Sequence, residues 1–538
     1  MIVYPSIFAV PIIFELPNMK ERIWRNEHIY AEFDRIIRLF EKKISGKLPV
    51  TAGFSKKVIE ERVTQRLVQL LFYPFCILCT RRLREGKYPV PGKKETVLLN
   101  RITIGSNTGK IIGLNTTFIL IQIADFFWEW IGAIRAVIRG YFNYSKKWKQ
   151  PVTLIFGIGL TDINFLGEET PFIKFCKEGP IKPLVNAEML VIQAGGKEKS
   201  KHFFLQYTNH PVFQTIEKTK LGFMNRSGLL VSQLLLPFRF GWMVKQNKLS
   251  VVLAKDIVQA QVIASLDEAG LIQSVIITNS LFFQQYLWMR QPGNRSFKVH
   301  ELHYSQNTIP IVYKDDSFVS FFPAFRHVCV DEHWVWTEGY AKYLQELGHK
   351  GPIHIVGPIL WYLPAAMQTV PRQTNDIKML VFDIPPVTGE VADKLGIINY
   401  YYSCDHMIRF IEDIIAVSKE YGERKGKKVK IYLKSKRDFR KKFHDEDYAA
   451  GIRKCEEENT NFKVMDASQN LFSLLNECDL SVSIPYTTVP YIAAYLRKPA
   501  VYFDPGGELE FTNESSPYIY TASGKQSFAL TFEKILSS

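Results

Sequence analysis

The run Asp479-Leu480-Ser481-Val482-Ser483-Ile484-Pro485-Tyr486-Thr487-Thr488-Val489-Pro490-Tyr491-Ile492-Ala493-Ala494-Tyr495-Leu496 changes its hydrophobic period in the middle. Leu480, Val482 and Ile484 alternate with Ser481 and Ser483, the period of a strand. Beyond Pro485, the residues Val489, Ile492, Ala493 and Leu496 repeat at helical spacing. Thr487 and Thr488 fall between the two, at the start of the helix. Pro490 fits a first helical turn, where its missing N–H costs little. In open parallel sheets the turns that follow the strands line the crevice where ligands bind. Hydroxyls and free N–H groups at a helix start suit a phosphate.

The same alternation extends through the last third of the chain. Ile377–Phe382, Val429–Leu433, Phe462–Met465, Leu480–Ile484 and Ala500–Asp504 read as strands. Asp405–Tyr421, Asp445–Asn459, Ser468–Cys478 (opened by a Ser cap), Thr488–Leu496 and Ser527–Leu536 read as helices. Repeated βα units with short loops predict a doubly wound parallel sheet with right-handed crossovers. Upstream, Val152–Ile158, Met189–Gln193, Leu249–Leu253, Ser274–Thr278 and Ile309–Tyr313 read as strands and Asp256–Ala269 as a helix. That is a second α/β unit. The Pro- and Gly-bearing segment His354–Gln373 separates the two. The expected organisation is a mostly helical region over 1–148, an α/β domain over 149–355, a link over 356–373 and a C-terminal α/β domain over 374–538.

Residues that follow strands are the candidates for chemistry. After Ile377–Phe382 stand Asp383, Pro385, Pro386, Thr388 and Gly389. After Val429–Leu433 stand Lys434, Lys436 and Arg437, cations suited to a diphosphate or a nucleotide monophosphate. After the fourth strand come Ser483, Thr487 and Thr488. After the fifth come Asp504 and Glu508, which suit a ribose or sugar hydroxyl. No GxxxxGK[ST] loop, strand-GxGxxG-helix fingerprint, HExxH or GxSxG is present. Phosphate binding without a P-loop or a metal motif therefore rests on these strand ends.

The chain has 538 residues, too many for one core, with 68 Lys+Arg against 53 Asp+Glu. A basic excess suits phosphorylated substrates, an anionic membrane surface or nucleic acid. The aromatics cluster in apolar runs such as Leu281-Phe282-Phe283 and do not interleave with Lys and Arg as a base-stacking platform would, which argues against nucleic acid. The seven cysteines are scattered and odd in number, so they read as buried apolar residues in a reducing cytoplasm. The most apolar window, Ile111–Ala124 with Phe127–Ile138, is broken by Asp125, Glu129 and Arg135. It reads as a buried or interfacial helix whose basic tail suits an anionic leaflet.

The segment Leu471–Asp504, with Pro485-Tyr486-Thr487-Thr488 at its centre, resembles bacterial surface-polysaccharide biosynthesis proteins of the PFTS-motif group. Tyr replaces Phe and keeps the aromatic; Thr replaces Ser and keeps the hydroxyl. Arg326–Gly357, Thr278–Trp288, Leu302–Asn307 and Phe172–Leu184 also resemble that group. The resemblance implies a GT-B-like architecture of two Rossmann-type domains facing a cleft. It further implies a glycosyltransferase that uses a nucleotide-sugar, by extrapolation a CMP-activated one, as substrate with no cofactor and no metal. The acceptor would be a cell-surface polysaccharide or lipid-linked glycan, and the enzyme cytoplasmic or peripheral on the inner membrane. The catalytic base is then expected on the N-terminal domain at Asp162, Glu168 or Glu169, with Glu301 and His303 as second choices. Two other functions fit the same reading: a nucleotide-sugar epimerase or polyol-phosphate transferase on this scaffold, and a non-enzymatic basic anion-binding or membrane-associated scaffold.

Overall fold

The protein is described from a computed structural model. It describes residues 25–50, 54–85, 87, 89, 96–99, 102–105, 112–142, 148, 150–158, 163, 169–185, 189–193, 205–278, 285–290, 295–305, 311–315, 325–359, 376–397, 401–435, 437–441, 443–511 and 516–537.

The C-terminal domain holds six strands: β11 (Ile377–Phe382), β12 (Val429–Leu433), β13 (Phe462–Val464), β14 (Leu480–Ser483), β15 (Ala500–Asp504) and β16 (Ile519–Ser523). All pairings are parallel, in the order β13-β12-β11-β14-β15-β16. Counted within the domain this is 3-2-1-4-5-6, the doubly wound order whose switch point lies between its first and fourth strands. The crevice thus opens at the ends of β11 and β14.

The first large sheet follows the same rule with one more strand. It contains β4 (Val152–Phe156), β5 (Met189–Gln193), β6 (Leu205–Thr208), β7 (Ile272–Thr278), β8 (Lys298–Leu302), β9 (Glu332–Val335) and β10 (Ile353–Ile355). Their order, β10-β9-β8-β7-β4-β5-β6, is again fully parallel. A small antiparallel meander of β1 (Thr96–Leu99), β2 (Ile102–Gly105) and β3 (Ile112–Leu114) adds strands to a region expected to be mostly helical.

Fourteen α-helices are described among these residues. The first seven are α1 (Asn26–Ile44), α2 (Lys56–Arg84), α3 (Thr116–Phe142), α4 (Thr170–Glu178), α5 (Pro211–Lys218), α6 (Phe223–Gln246) and α7 (Ala254–Glu268). The rest are α8 (Glu338–Glu346), α9 (Gly389–Leu395), α10 (Cys404–Lys425), α11 (Glu446–Glu458), α12 (Leu471–Glu477), α13 (Val489–Tyr495) and α14 (Gly524–Ser537). The N-terminal helices are part of the first domain: Phe33, Phe75, Phe126, Val191 and Val275 belong to one hydrophobic core. A buried ion pair ties α2 to α7, with Arg62 Nε 2.8 Å from Asp256 Oδ1. Asp256 Oδ1 also accepts from the Leu287 N–H at 2.6 Å.

The two sheets meet carboxyl end to carboxyl end. Ile276, Leu302 and Trp334 of the first share a core with Leu380, Phe382 and Tyr502 of the second, and the Trp336 and Tyr491 rings lie 6.5 Å apart across the junction. This is the GT-B-like arrangement of two Rossmann-type domains. Gly396 closes α9 in the left-handed region (φ 68°) and sits so tightly on α2 that a Cβ would strike Cys76.

Three expected elements differ. Leu249–Leu253 is 3-10 helix, part of Lys248–Leu253, rather than strand. Asn247 caps it by accepting from the Leu249 N–H, and it runs straight into α7; a short apolar run cannot distinguish strand from helix by period. α12 is opened by Asn470, which accepts from the Phe472 and Ser473 N–H groups, because Ser468 is already bonded to Asp466. Within the expected strand Ile309–Tyr313, residues 309–310 lie outside the described residues, and Tyr313 makes an isolated antiparallel bridge to Leu509.

Candidate functional site

The switch-point crevice of the C-terminal domain is built around the turn 484–488 that follows β14. Ile484 is buried, and Tyr486 follows in the left-handed region at φ 63°, a strained conformation for an aromatic residue. Tyr486 accepts from the Val312 N–H at 3.3 Å and donates to the Glu510 carbonyl at 3.2 Å, clasping segment 311–315 against the C-terminal domain. Thr487 donates to the Ile484 carbonyl at 3.0 Å. Thr488 is the cap residue of α13, yet its side chain makes no cap bond. Its Oγ1 lies 3.3 Å from Ser305 Oγ, just beyond β8. The signature turn therefore touches the strand-end loops of both domains. α13 is only seven residues long and carries Pro490 in its first turn, so hydroxyls rather than a long helix dipole supply the polarity here.

Around this turn the other predicted residues divide. Lys434 is half-buried with Nζ donating to the Ala467 carbonyl at 3.0 Å; burial lowers its pKa, against the pull of Asp383 and Asp466. Arg437 is exposed, and Lys436 lies outside the described residues. Ser483 is fully buried, with no partner for its hydroxyl among the described residues. Asp504 is also fully buried. Its carboxylate accepts from the Tyr401 hydroxyl at 2.8 Å and the Gly506 and Leu509 N–H groups at 3.1 and 2.8 Å. It therefore shapes the 504–509 turn, while Glu508, on the same turn, is exposed. Lys314 Nζ reaches the turn at the Gly507 carbonyl, 2.9 Å away.

Several crevice residues had no legible signal. Tyr402 donates to the Pro485 carbonyl at 3.0 Å, and His406 packs against Tyr401 with 4.3 Å between ring centres. Both stand at the start of α10, a 22-residue helix capped by Ser403. Burial lowers the His406 pKa although Asp504 lies nearby. Asp383 accepts from Ser435 at 3.1 Å and from the Tyr448 hydroxyl. Burial and that carboxylate raise the Tyr448 pKa.

On the N-terminal side, Asp162 and Glu168 lie outside the described residues. Glu169 is half-buried and accepts from the Tyr207 hydroxyl at 2.6 Å. Glu301 and His303 are fully buried, which puts both out of reach of an acceptor hydroxyl. With His333 they are the one group of three among the described residues whose ligand atoms could hold a metal ion. Glu301 Oε2 is 3.3 Å from His303 Nε2 and 3.1 Å from His333 Nδ1, and the two nitrogens are 3.2 Å apart. Burial pushes the Glu301 carboxyl up, but the two imidazoles hold it below the ordinary carboxylate range. The cluster is sealed inside the domain, and an ion there would be structural. A polar cavity of about 210 Å³ does open at the strand ends, lined by Gln193, Asn209, His210, Lys255 and Tyr286. A cavity of about 910 Å³ between α6 and α7, with Phe297 and Glu268 in its wall, lies instead at the amino ends of β7 and β8, away from the crevice.

Residues 233–531, more than half of the chain, match the family described as Polysaccharide biosynthesis PFTS motif protein. The chain belongs to this family. No curated protein matches the sequence. Among solved structures, a trehalose-6-phosphate synthase shares 10% identity over 72% of this chain and 91% of its own, with a TM-score of 0.38. An α,α-trehalose-phosphate synthase (UDP-forming) from Burkholderia vietnamiensis shares 9% over 72% and 92%, with a TM-score of 0.33. Spinosyn rhamnosyltransferase complexed with thymidine diphosphate shares 10% over 72% and 92%, with a TM-score of 0.30. The fold of this PFTS-motif protein rests on its own two strand orders.

Proposed function

We propose that this PFTS-motif protein is a metal-independent glycosyltransferase that moves a sugar from a nucleotide-sugar to a cell-surface polysaccharide or lipid-linked glycan. The observation that carries this reading is the position of Tyr486–Thr488. The family's motif lies at the switch point of a 3-2-1-4-5-6 sheet and touches the strand-end loop of a second such sheet through Ser305. In the reaction the bond between the sugar's anomeric carbon and the phosphate oxygen breaks, and the nucleotide departs as an anion. A bond from the acceptor oxygen to that carbon forms, and the acceptor proton passes to a base. Thr488, Lys434, Lys436 and Arg437, with Thr487 once its hydroxyl turns from the Ile484 carbonyl, supply donors and positive charge to the departing phosphate. Glu508 is the exposed carboxylate available to a ribose or sugar hydroxyl, and Asp504 acts through the turn that presents it. Glu169, Asp162 and Glu168 remain candidates for the base on the facing domain, joined by His210 at the mouth of the strand-end cavity. A CMP-activated acidic sugar is the donor to try first. Work on the inner face of the plasma membrane fits the acceptor.

The test is a thermal-shift panel of CMP-, UDP- and GDP-sugars. A donor at 100 times its Kd should stabilise the wild type by about 2.7 kcal/mol. Thr487→Ala/Thr488→Ala should lose most of that shift for the same donor. An equal shift in the double variant removes these hydroxyls from the site.

A further inference from the structure

α3 and α6 each bury polar side chains among their core residues and leave large apolar ones exposed. Toward the protein, α3 presents Gln122 and Glu129, both buried, and Gln259 of α7 donates to Glu129 at 2.7 Å. α6 likewise turns Arg226 and Gln233 inward, with Arg226 donating to the Ile216 and Thr219 carbonyls. Toward the outside, α3 carries Leu120, Phe127, Trp128, Ile131, Ile138 and Phe142; Trp128 is 75% exposed and Phe142 84%. α6 carries Met224, Val231, Leu234, Phe238 and Trp242, with Met224 83% and Phe238 78% exposed. Water-soluble helices place these residue classes the other way round.

The two helices form one surface. Phe126 stacks on Phe240 at 4.2 Å, Trp130 Nε1 donates to the Gln233 carbonyl at 2.7 Å, and Tyr141 meets Ser227 at 2.9 Å. Contacts that run down one helix as they run up the other make the pair antiparallel. Both helices are long and apolar enough to cross a membrane. Each, however, has one face packed on the domain along its length, α3 through Phe118, Phe126, Ala133 and Val137 and α6 through Leu229, Leu236, Phe240 and Met243, so the bare faces lie side by side. The ionisable residues exposed on them are Arg135, Arg139, Arg239 and Lys245, while the partly exposed Asp125 of α3 faces Lys255 at 3.8 Å. A groove of about 400 Å³ runs from Arg135, Arg139 and Lys218 at the edge of this surface, where Glu217 lies 3.9 Å from Arg139, to His210 and Phe213. Those two residues also line the polar cavity at the strand ends.

We infer that the paired outer faces of α3 and α6 form a monotopic docking surface that seats the protein in the plane of an anionic lipid bilayer. Aromatic and aliphatic side chains enter the acyl boundary and the four cations meet the headgroups. The basic groove then opens at headgroup level and leads a phosphorylated, lipid-anchored acceptor toward the crevice. That last step alone rests on the glycosyltransferase reading; the docking surface does not.

The experiment is vesicle flotation of the full chain, with tryptophan quenching by acyl-brominated lipid. Phosphatidylglycerol-containing vesicles should carry the protein up and quench its emission, and pure phosphatidylcholine vesicles should carry less. Trp128→Glu/Phe238→Glu, two positions outside every core, should weaken partitioning at least about tenfold. Arg135→Glu/Arg139→Glu should weaken it only on anionic vesicles and remove its salt dependence. Light scattering after gel filtration checks the rival occupant. A wild-type dimer that W128E/F238E dissociates, without vesicle binding, makes the face a self-interface and overturns the inference. So does flotation that W128E/F238E leaves unchanged. An unaltered nucleotide-induced thermal shift in W128E/F238E keeps this outcome separate from the fate of the donor site.

Discussion

The two Rossmann-type sheets share a strand order and differ in how they spend polar residues. The C-terminal domain encloses its buried carboxylates with neutral donors: Asp504 takes the Tyr401 hydroxyl and two N–H groups, and Asp383 takes Ser435 and Tyr448. The N-terminal domain buries ions and imidazoles against one another: Arg62 with Asp256, His303 and His333 with Glu301, His300 beside Glu332. It also leaves two long helices apolar on the outside. One domain satisfies its buried carboxylates with hydroxyls and N–H groups and leaves Arg437 and Glu508 exposed at its strand ends. The other joins extra helices to its sheet through a shared hydrophobic core and adds buried ion pairs such as Arg62 with Asp256.

The contrast can be broken residue by residue, and the tryptophans make the readout selective. None of the nine lies beyond residue 361, so their emission reports the N-terminal side, while far-ultraviolet circular dichroism reports both. The largest effect is expected from Arg62→Met, which strands Asp256 in the core and should cost about 3–5 kcal/mol. Urea unfolding followed by tryptophan emission measures it, and a loss under about 1 kcal/mol would mean the pair does not hold α2 to α7. Asp504→Asn should cost about 2 kcal/mol by leaving hydrogen bonds of the 504–509 turn unmade. That loss should appear by circular dichroism, with the tryptophan transition in place.

Acidification comes next. Burial lowers the His300 pKa to about 4, against the pull of Glu332. A histidine kept neutral in the fold stabilises fully above its unfolded value near 6.5 and loses that contribution as pH falls toward 4. The tryptophan-reported stability should therefore drop over that window by about 1–2 kcal/mol, and His300→Gln should flatten the slope. An identical slope in the variant assigns the decline to other groups. The smallest effect belongs to Tyr486→Phe, which matches the family's Phe but removes the hydroxyl bonded to Val312 and Glu510. A cost of about 1 kcal/mol is expected, with faster hydrogen exchange confined to segments 311–315 and 509–511.

These differences also explain how far the sequence could be read. In the C-terminal domain every expected strand and helix is present, because βα units with short loops give each strand a clean apolar run. β16 carries no clear period: Ile519-Tyr520-Thr521-Ala522-Ser523 is an edge strand with only Ala522 buried, so its pattern is weak. In the N-terminal domain α6 is not legible in the sequence, since Phe223–Gln246 lacks a clear helical period and contains Pro237. The motif turn was legible because Pro, Tyr and Thr mark it locally. Tyr401, Tyr402, His406 and His210 were not, because their roles come from contacts with residues distant in the chain. Asp504 stood out by position, but only the fold shows its carboxylate already engaged.

Hydrogen exchange measured by mass spectrometry, with and without a saturating nucleotide-sugar, tests the central claim most directly. Slowed exchange is expected in peptides covering 401–407, 484–491 and 504–509, with the core peptides of both sheets unchanged. Protection confined to the N-terminal sheet, or absent from 484–491, would contradict the placement of the donor at the PFTS turn.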